Sequence, residues 1–270
     1  MDFQVAVYGK GRFGHALAEA LPAGVLARTG GRATAKAAFL AGLKPGTLVL
    51  LAVPDDAMRE VASAFAALDG TDGLSFVHPS GVSGAELLKP LADKGAPTGV
   101  FHILQSFPPT DGQQRMKGSY AAIAGTPPLL HKLKQLGEAI GVIPFELKDD
   151  QRVAYHAAAV LASNALIGLL DSGRELLVQA GMEPDVAGKM LIPLARGTLD
   201  NAEAVGVREA LTGPVARGDV GTIARHLGAL TGEVRRTYVA MMLAVCDTAE
   251  RAGRTTPEKL AAIRALLAGG

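Results

Sequence analysis

Apolar and polar positions change rhythm once along the chain. Through the first half, short branched and apolar runs alternate with stretches where apolar residues recur every three or four positions. That alternation predicts a parallel sheet wound with crossover helices. Residues 3–8 read as a buried first strand, 12–21 as the helix after it, 24–27 as a short second strand and 33–43 as a weak helix. Residues 47–53, Thr-Leu-Val-Leu-Leu-Ala-Val, form the clearest buried strand. Asp55 or Asp56 can cap the helix that follows as far as Leu68. Further strands are predicted at 74–78, 99–104, 120–124 and 142–147, with helices near 85–93 and over 127–140. Beyond Lys148 strand alternation does not recur. Asp149 or Asp150 is placed to cap a long apolar helix running towards Ala180, and the rest reads as helices separated by Gly and Pro. The fold class expected is α/β, a doubly wound parallel sheet over residues 1–149, followed by an all-helical domain over 150–270.

Composition narrows the function more than the fold. A hydrophobic content of 49% with 20% charged residues is ordinary for a globular protein of two cores. Aromatic residues are only 4%, Trp is absent, and 27 basic residues against 26 acidic ones give a net charge of +1. Nothing here suggests a nucleic-acid platform or an anionic membrane surface. A single cysteine, Cys246, excludes an internal disulfide and a cysteine-cluster metal site, so no metal is expected. The chain opens directly into a strand without the basic and apolar regions of an export signal. Its longest apolar stretch, 157–170, is interrupted by Ser163 and Asn164 and falls short of the ~20 residues a membrane span requires. A cytoplasmic protein acting on a small molecule is the expectation.

Gly9-Lys10-Gly11-Arg12-Phe13-Gly14 matches Gly-x-Gly-x-x-Gly where a buried strand gives way to a helix. In that context the pattern predicts a Rossmann-type dinucleotide site. Gly9 permits the tight turn, Gly11 lets backbone approach a pyrophosphate, and Gly14 lets the helix pack on the strand. An NAD site usually places Asp or Glu about 20 residues further on, at the ribose. No acidic residue occurs between Glu19 and Asp55; Arg28 and Thr29 stand there instead, with Arg32 and Lys36 close behind. Guanidinium groups suit a 2′-phosphate, which points to NADP. Exposed loop arginines without a ligand are the alternative.

Ligands in such sheets lie beyond the C-terminal ends of the strands. Val53 and Pro54 are expected to line the nicotinamide side of the crevice. His78-Pro79-Ser80-Gly81 and the segment carrying His102, Gln105 and Ser106 bring polar groups to the same edge. In the first helix of the second half, His156, Val160, Ser163 and Asn164 share one face at 3.6 residues per turn. Polar groups on an apolar helix either face a crevice or form an internal network. Further on, Asp219 is placed to cap the helix containing Thr222 and His226. Arg217 could hold a substrate carboxylate or pair with Asp219 or Glu209.

On the glycine motif, His78 to Gly81, the Phe101-His102 to Phe107 segment, Tyr155-His156 through Asn164, and Leu211 to Asp219, the chain resembles a bacterial family. Its members join a Rossmann-like domain to a C-terminal helical domain of unknown function. Some resemble an alternative ketopantoate reductase, and the architecture is similar to the superfamily of ketopantoate reductase, 6-phosphogluconate dehydrogenase and pyrroline-5-carboxylate reductase. The resemblance implies a 6-phosphogluconate dehydrogenase C-terminal-like helical domain and a homodimer formed through it. It also implies hydride transfer from NADPH to a small carbonyl compound, a 2-keto acid such as ketopantoate. Ketopantoate reductases carry Lys-x-x-x-Asn-x-x-x-Asn at this helix. Here His156 takes the place of the Lys and Val160 that of the first Asn, and only Asn164 matches. On that reading His156 is the general acid, Asn164 and Ser80 orient the carbonyl, and His102, Ser163 and Arg217 bind substrate, with His78 among the cofactor contacts. An imine reductase of the pyrroline carboxylate type and a non-catalytic NADP-binding sensor or scaffold are the competing readings.

Overall fold

A computed structural model describes residues 1–269. By contacts the chain divides into two compact units, Met1–Leu161 and the residues from Ala162 onward. The change in sequence pattern falls near residue 150, so the first helix of the helical half belongs with the sheet.

The first unit holds seven strands: β1 (Val5–Tyr8), β2 (Leu26–Gly30), β3 (Leu48–Leu51), β4 (Ser75–His78), β5 (Thr98–Ile103), β6 (Tyr120–Ala124) and β7 (Ile143–Glu146). They form one sheet in the order β2-β1-β3-β4-β5-β6-β7. The chain winds outward in both directions from β1 and β3, which makes that junction the switch point where such sheets bind ligands. The core follows from strand alternation. Val5, Val7, Leu48, Leu50, Val77, Phe101 and Ile103 bury towards one face. Ala6, Tyr8, Val49, Leu51 and Phe76 bury towards the other. Helices α1 (Arg12–Ala20) and α5 (Pro127–Ala139) cover the first face through Ala16, Leu17, Leu129, Leu133 and Leu136. Helices α2 (Lys36–Leu40), α3 (Asp55–Ala66) and α4 (Lys89–Ala92) cover the second through Phe39, Met58, Phe65 and Leu91. Burying both faces is what gives the central strands β1 and β3 their unbroken apolar runs.

Several boundaries differ from the sequence expectation. The second strand starts at Leu26 rather than residue 24, and the weak helix contracts to five residues. The helix expected over 85–93 splits into a 3-10 turn, Ala85–Leu88, and α4, where Pro90 occupies the first helical turn. Neither Asp55 nor Asp56 caps α3; Pro54 stands at the N-cap, and no side chain accepts there. Asp149 likewise lies in a 3-10 turn, Asp149–Gln151, ahead of α6 (Arg152–Val160).

One reversal decides where α6 goes. β5 and β6 pair antiparallel, with His102 opposite Ala122, and β6 and β7 pair parallel, with Ile123 opposite Glu146. The chain therefore leaves β7 below the C-terminal edge of β5, and α6 runs back towards that edge. A fully parallel sheet would have released the chain at the edge itself.

The second unit is helical: α7 (Leu166–Gln179), α8 (Pro184–Val205), α9 (Gly213–Arg217), α10 (Val220–Ala229), α11 (Gly232–Arg251) and α12 (Pro257–Ala268). Its core gathers Val215, Ile223, Leu227, Cys246, Leu260, Ile263 and Leu267, so the lone thiol is buried among aliphatic side chains. Asp219 caps α10 as expected, accepting from the Thr222 amide at 2.9 Å and the Thr222 hydroxyl at 2.7 Å. Helix α8 buries only Ala187, and Val186, Met190, Ile192, Leu194 and Leu199 are exposed. The helical run Asp149–Gln179 continues through Ser163 and Asn164. By length and composition it is long and apolar enough to cross a membrane, with mean hydropathy 1.6 over its most apolar window, none of which is buried.

Candidate functional site: a glycine-lined groove and a histidine cluster at one sheet edge

The glycine motif sits at the C-terminal end of β1, and its three glycines do three different jobs. Gly9 adopts φ +136°, and a Cβ there would stand 2.0 Å from the Ala52 carbonyl oxygen. A Cβ on Gly14 would stand 2.1 Å from the Gly9 carbonyl oxygen, so α1 can lie this close to β1 only without a side chain. Around Gly11 a Cβ would meet nothing within 4 Å. That is the open side, where backbone can approach a ligand. Gly11 is also the N-cap of α1, with no side-chain cap and no acidic residue in the first turn, leaving the positive end of the helix unneutralised. A cavity of about 270 Å³ lined by Gly9, Lys10, Gly14, His15, Ala18 and Thr29 adjoins the turn. These features fit a dinucleotide pyrophosphate. Lys10 and Arg12 are exposed beside it, whereas the Phe13 ring turns away and packs edge-on against Phe107 at 5.5 Å.

The two arginines expected at the ribose behave differently. Arg28 Nη1 donates to the Ala38 and Phe39 carbonyls, tying β2 to the end of α2. Arg32 is exposed in the turn after β2, where the Thr34 amide donates to the Gly31 carbonyl at 2.7 Å. Thr29 lines the cavity. Of the two guanidinium groups, Arg32 carries no structural bond of this kind.

Across the same edge, β3, β4 and β5 present the second group of residues. Val53 and Pro54 follow β3, Val53 half-buried and Pro54 exposed. His78, at the end of β4, is fully buried, and both ring nitrogens serve its own loop. Nδ1 accepts from the Ser80 amide at 3.1 Å, and Nε2 lies 2.8 Å from the Gly84 carbonyl oxygen. Burial pushes its pKa below the ordinary value. His78 thus shapes the loop, with no ring nitrogen left for a cofactor. Ser80 is similarly committed: its hydroxyl donates to Asp55 Oδ2 at 2.5 Å and accepts from the Ser83 amide at 3.2 Å. The carboxylate expected as a helix cap is therefore an anchor for the β4 loop.

His102, near the end of β5, points at α6. Its Nδ1 is 2.8 Å from Tyr155 Oη, and the two rings meet edge-on at 5.4 Å. His156 approaches the same imidazole, with ring centroids 6.4 Å apart. A Cβ on Gly81 would lie 2.8 Å from His102 Nε2 and 2.8 Å from His156 Nδ1, so the two rings crowd over that position and only glycine fits beneath them. His156 Nδ1 is buried without a hydrogen-bond partner. Burial drives the His102 pKa down to about 4, with the neighbouring His156 and Arg152 adding to the effect. Burial pushes Tyr155 up to about 12. The pair is neutral phenol against neutral imidazole across the physiological range.

Beneath the cluster lies Arg152, which is fully buried. Its Nε donates to Asp149 Oδ1 at 2.9 Å and its Nη2 to the Leu147 carbonyl at 3.3 Å, while Nη1 is unpartnered. Sequence reasoning did not single out Arg152, and Tyr155 entered only through its place beside His156; Asp55 was expected as a helix cap and Gly81 as part of the polar turn after the strand. Ser163, Asn164 and Arg217 belong to the second unit. Ser163 Oγ donates to Asn164 Oδ1 at 3.0 Å within a π turn, Leu161–Ala165, which interrupts the 3.6-residue period assumed for that face. Arg217 is exposed at the end of α9. No group of three His, Cys, Asp or Glu side chains that could hold a metal occurs among the described residues.

Residues 34–102 match a Rossmann-like domain model, and residues 119–245 match the model of a domain of unknown function, DUF2520. No curated protein matches the chain. Among solved structures, protein TM1727 of Thermotoga maritima is similar at 23% identity and a TM-score of 0.70, over 92% of this chain and 98% of that one. A Bacteroides fragilis protein, BF3122, assigned as an NADP oxidoreductase, is similar at 20% identity and a TM-score of 0.65, over 89% and 95%. The pyrroline carboxylate reductase of Plasmodium falciparum, with NADP bound, is similar at 10% identity and a TM-score of 0.60, over 98% of each chain. At these identities the likeness is one of fold: a Rossmann-like domain joined to a helical domain.

Proposed function

We propose that the chain is a cytoplasmic NADP-dependent oxidoreductase that reduces a small carbonyl compound, a 2-keto acid such as ketopantoate. The observation that carries this reading is the sharing of one sheet edge. The glycine turn after β1 and the histidine cluster after β4 and β5 are two to three strand spacings apart, roughly 10–15 Å at about 4.8 Å per strand, a span suited to a dinucleotide. Gly9, Gly11 and Gly14 would hold the pyrophosphate, Lys10 and Arg12 the outer phosphate charge, and Arg32 the 2′-phosphate, with Thr29 beside the ribose. Val53 and Pro54 would pack against the nicotinamide. When bound, the nicotinamide supplies the hydride. His156 donates the proton that the carbonyl oxygen takes up, so one carbonyl, one NADPH and one proton give one alcohol and NADP. Ser80, whose own proton goes to Asp55, holds the loop rather than polarising the substrate. The exposed apolar side chains of α8 support a homodimer through the helical domain.

NADPH oxidation with ketopantoate, against other 2-keto acids and cyclic imines, tests the reaction. Turnover specific to ketopantoate is expected, with His156→Ala lowering kcat by about 100-fold or more, the scale of a lost general acid. Full turnover in that variant would remove His156 from the role. A second reading, an imine reductase, draws on the likeness to the Plasmodium pyrroline carboxylate reductase. Turnover of a cyclic imine in preference to every keto acid would establish it.

A further inference from the structure

Strand alternation sorts the residues at the end of β2 onto opposite faces of the sheet. Thr29 pairs with Val7, which buries on the α1 side, and Arg28 pairs with Ala6, which buries on the α2 side. The Arg28 guanidinium is then committed to the Ala38 and Phe39 carbonyls. The cavity beside the glycine turn lies on the other face, between α1 and Thr29. Arg28 therefore cannot give that cavity its positive charge, although it stands in the sequence where a ribose partner is usually found.

Lys10 can. It is exposed, it lines the cavity, and its stem runs along Gly31. A Cβ on Gly31 would stand 3.2 Å from Lys10 Cγ and 3.6 Å from Cδ. Gly31 is buried, yet its φ lies outside the left-handed region, so its backbone does not require glycine. The lysine stem does, because a side chain at residue 31 would press on it. Seating the aliphatic stem in this way leaves the ammonium in water. The next residue is Arg32, carried outward by a turn that the Thr34 amide closes on the Gly31 carbonyl at 2.7 Å.

The rest of the lining singles out the same amine. His15, the other basic side chain there, is paired with Glu19 at 3.1 Å. Lys10 makes no ion pair among the described residues. The described residues that line the cavity include no carboxylate, and the Thr29 hydroxyl can donate from the facing wall. At about 270 Å³ the space comes close to the ~300 Å³ at which small-molecule sites begin.

We propose that Lys10 sets the preference for NADP over NAD, its ammonium holding the 2′-phosphate together with Thr29 and Arg32, and that Gly31 is the positioning residue that seats it. This rests on the NADP-dependent reading and deepens it. Of the outer phosphate charges, the one that Lys10 meets is the 2′-phosphate. An ammonium is a compact charge on a flexible stem, so it discriminates between two phosphates only where the stem is held.

Isothermal titration calorimetry with NADPH and NADH measures the preference, with 2′,5′-ADP and 5′-AMP as fragments that lack the nicotinamide. Lys10→Ala should weaken NADPH and 2′,5′-ADP by about 10- to 100-fold, the scale of a lost charge-assisted bond, and leave NADH and 5′-AMP within about 2-fold. Lys10→Arg should keep the preference. Gly31→Ala should weaken NADPH by a smaller factor and spare NADH. Because it acts through Lys10, the double variant should bind NADPH no more weakly than Lys10→Ala alone. Equal losses for NADPH and NADH in Lys10→Ala would put the amine on the pyrophosphate and overturn the proposal, as would an unchanged ratio. Losses that add in the double variant would overturn the part given to Gly31. A wild type that binds neither cofactor would instead bring down the dinucleotide reading itself, and this proposal with it. No turnover is needed, so the outcome stands apart from which substrate is reduced.

Discussion

The glycine turn allows stability and cofactor binding to be separated with two alanine substitutions only three residues apart in sequence. In Gly14→Ala the new Cβ would stand 2.1 Å from the Gly9 carbonyl oxygen and 3.2 Å from Ala52 Cβ. Relief requires α1 to lift away from β1, disturbing Ala16 and Leu17, which are buried against Val5 and Val7. Overpacking of this kind costs about 1–3 kcal/mol. At roughly 2–4 °C per kcal/mol for a unit of this size, the thermal midpoint should fall by about 2–12 °C. Gly11→Ala differs in every respect: its φ of −70° suits alanine, and the Cβ meets nothing within 4 Å. Its stability cost should stay below about 1 kcal/mol, the scale of a weakened N-cap. Yet the methyl enters the space through which a pyrophosphate would approach, so NADPH affinity should drop at least 10-fold, about 1.4 kcal/mol. Circular dichroism melts and fluorescence titration with NADPH measure the two quantities. A Gly14→Ala variant that melts with the wild type, or a Gly11→Ala variant that binds NADPH as well as the wild type does, would refute these assignments.

Arg32→Glu should weaken NADPH by about 10- to 100-fold, the scale of a lost charge-assisted bond, while sparing NADH. Equal wild-type affinity for the two cofactors would refute the preference. Acid should weaken the first unit before its carboxylates titrate. His102 has a pKa of about 4 when folded against 6.5 unfolded, so the unfolded chain takes up the proton first. Stability is then full above pH 6.5 and falls as the pH drops towards 4, with His78 acting in the same direction. A melt series in which His102→Asn shows the same slope as the wild type would exclude this origin.

The central strands were legible because both faces of the sheet are buried there, which leaves runs such as Leu48–Leu51 with no polar interruption, whereas the edge strand β2 is half exposed and its bounds were misjudged. The glycine motif was legible because steric demands at Gly9 and Gly14 admit no other residue. The direction of β6 was not, since an apolar run such as Tyr-Ala-Ala-Ile-Ala carries no mark of whether its neighbour is parallel. Local rules also misplaced two carboxylates. Asp55 precedes a helix and looks like a cap, but its partner Ser80 lies 25 residues away. Asp149 looks like another, but it pairs with Arg152. Arg152 itself reads as a surface residue of a helix start, and only the tertiary structure buries it.

The bond between Tyr155 and His102 joins residues 53 positions apart across the reversed strand pair. Closing so long a loop costs entropy that only a formed sheet repays, and pairings of high sequence separation are the slow events of folding. The histidine cluster should accordingly be among the last parts of the first unit to assemble, after β1, β3 and the glycine turn. A nascent chain would then be able to hold its dinucleotide before it could act on anything. Cofactor binding at that stage would stabilise the half-formed sheet by mass action, drawing the remaining strands towards the arrangement in which Tyr155 meets His102.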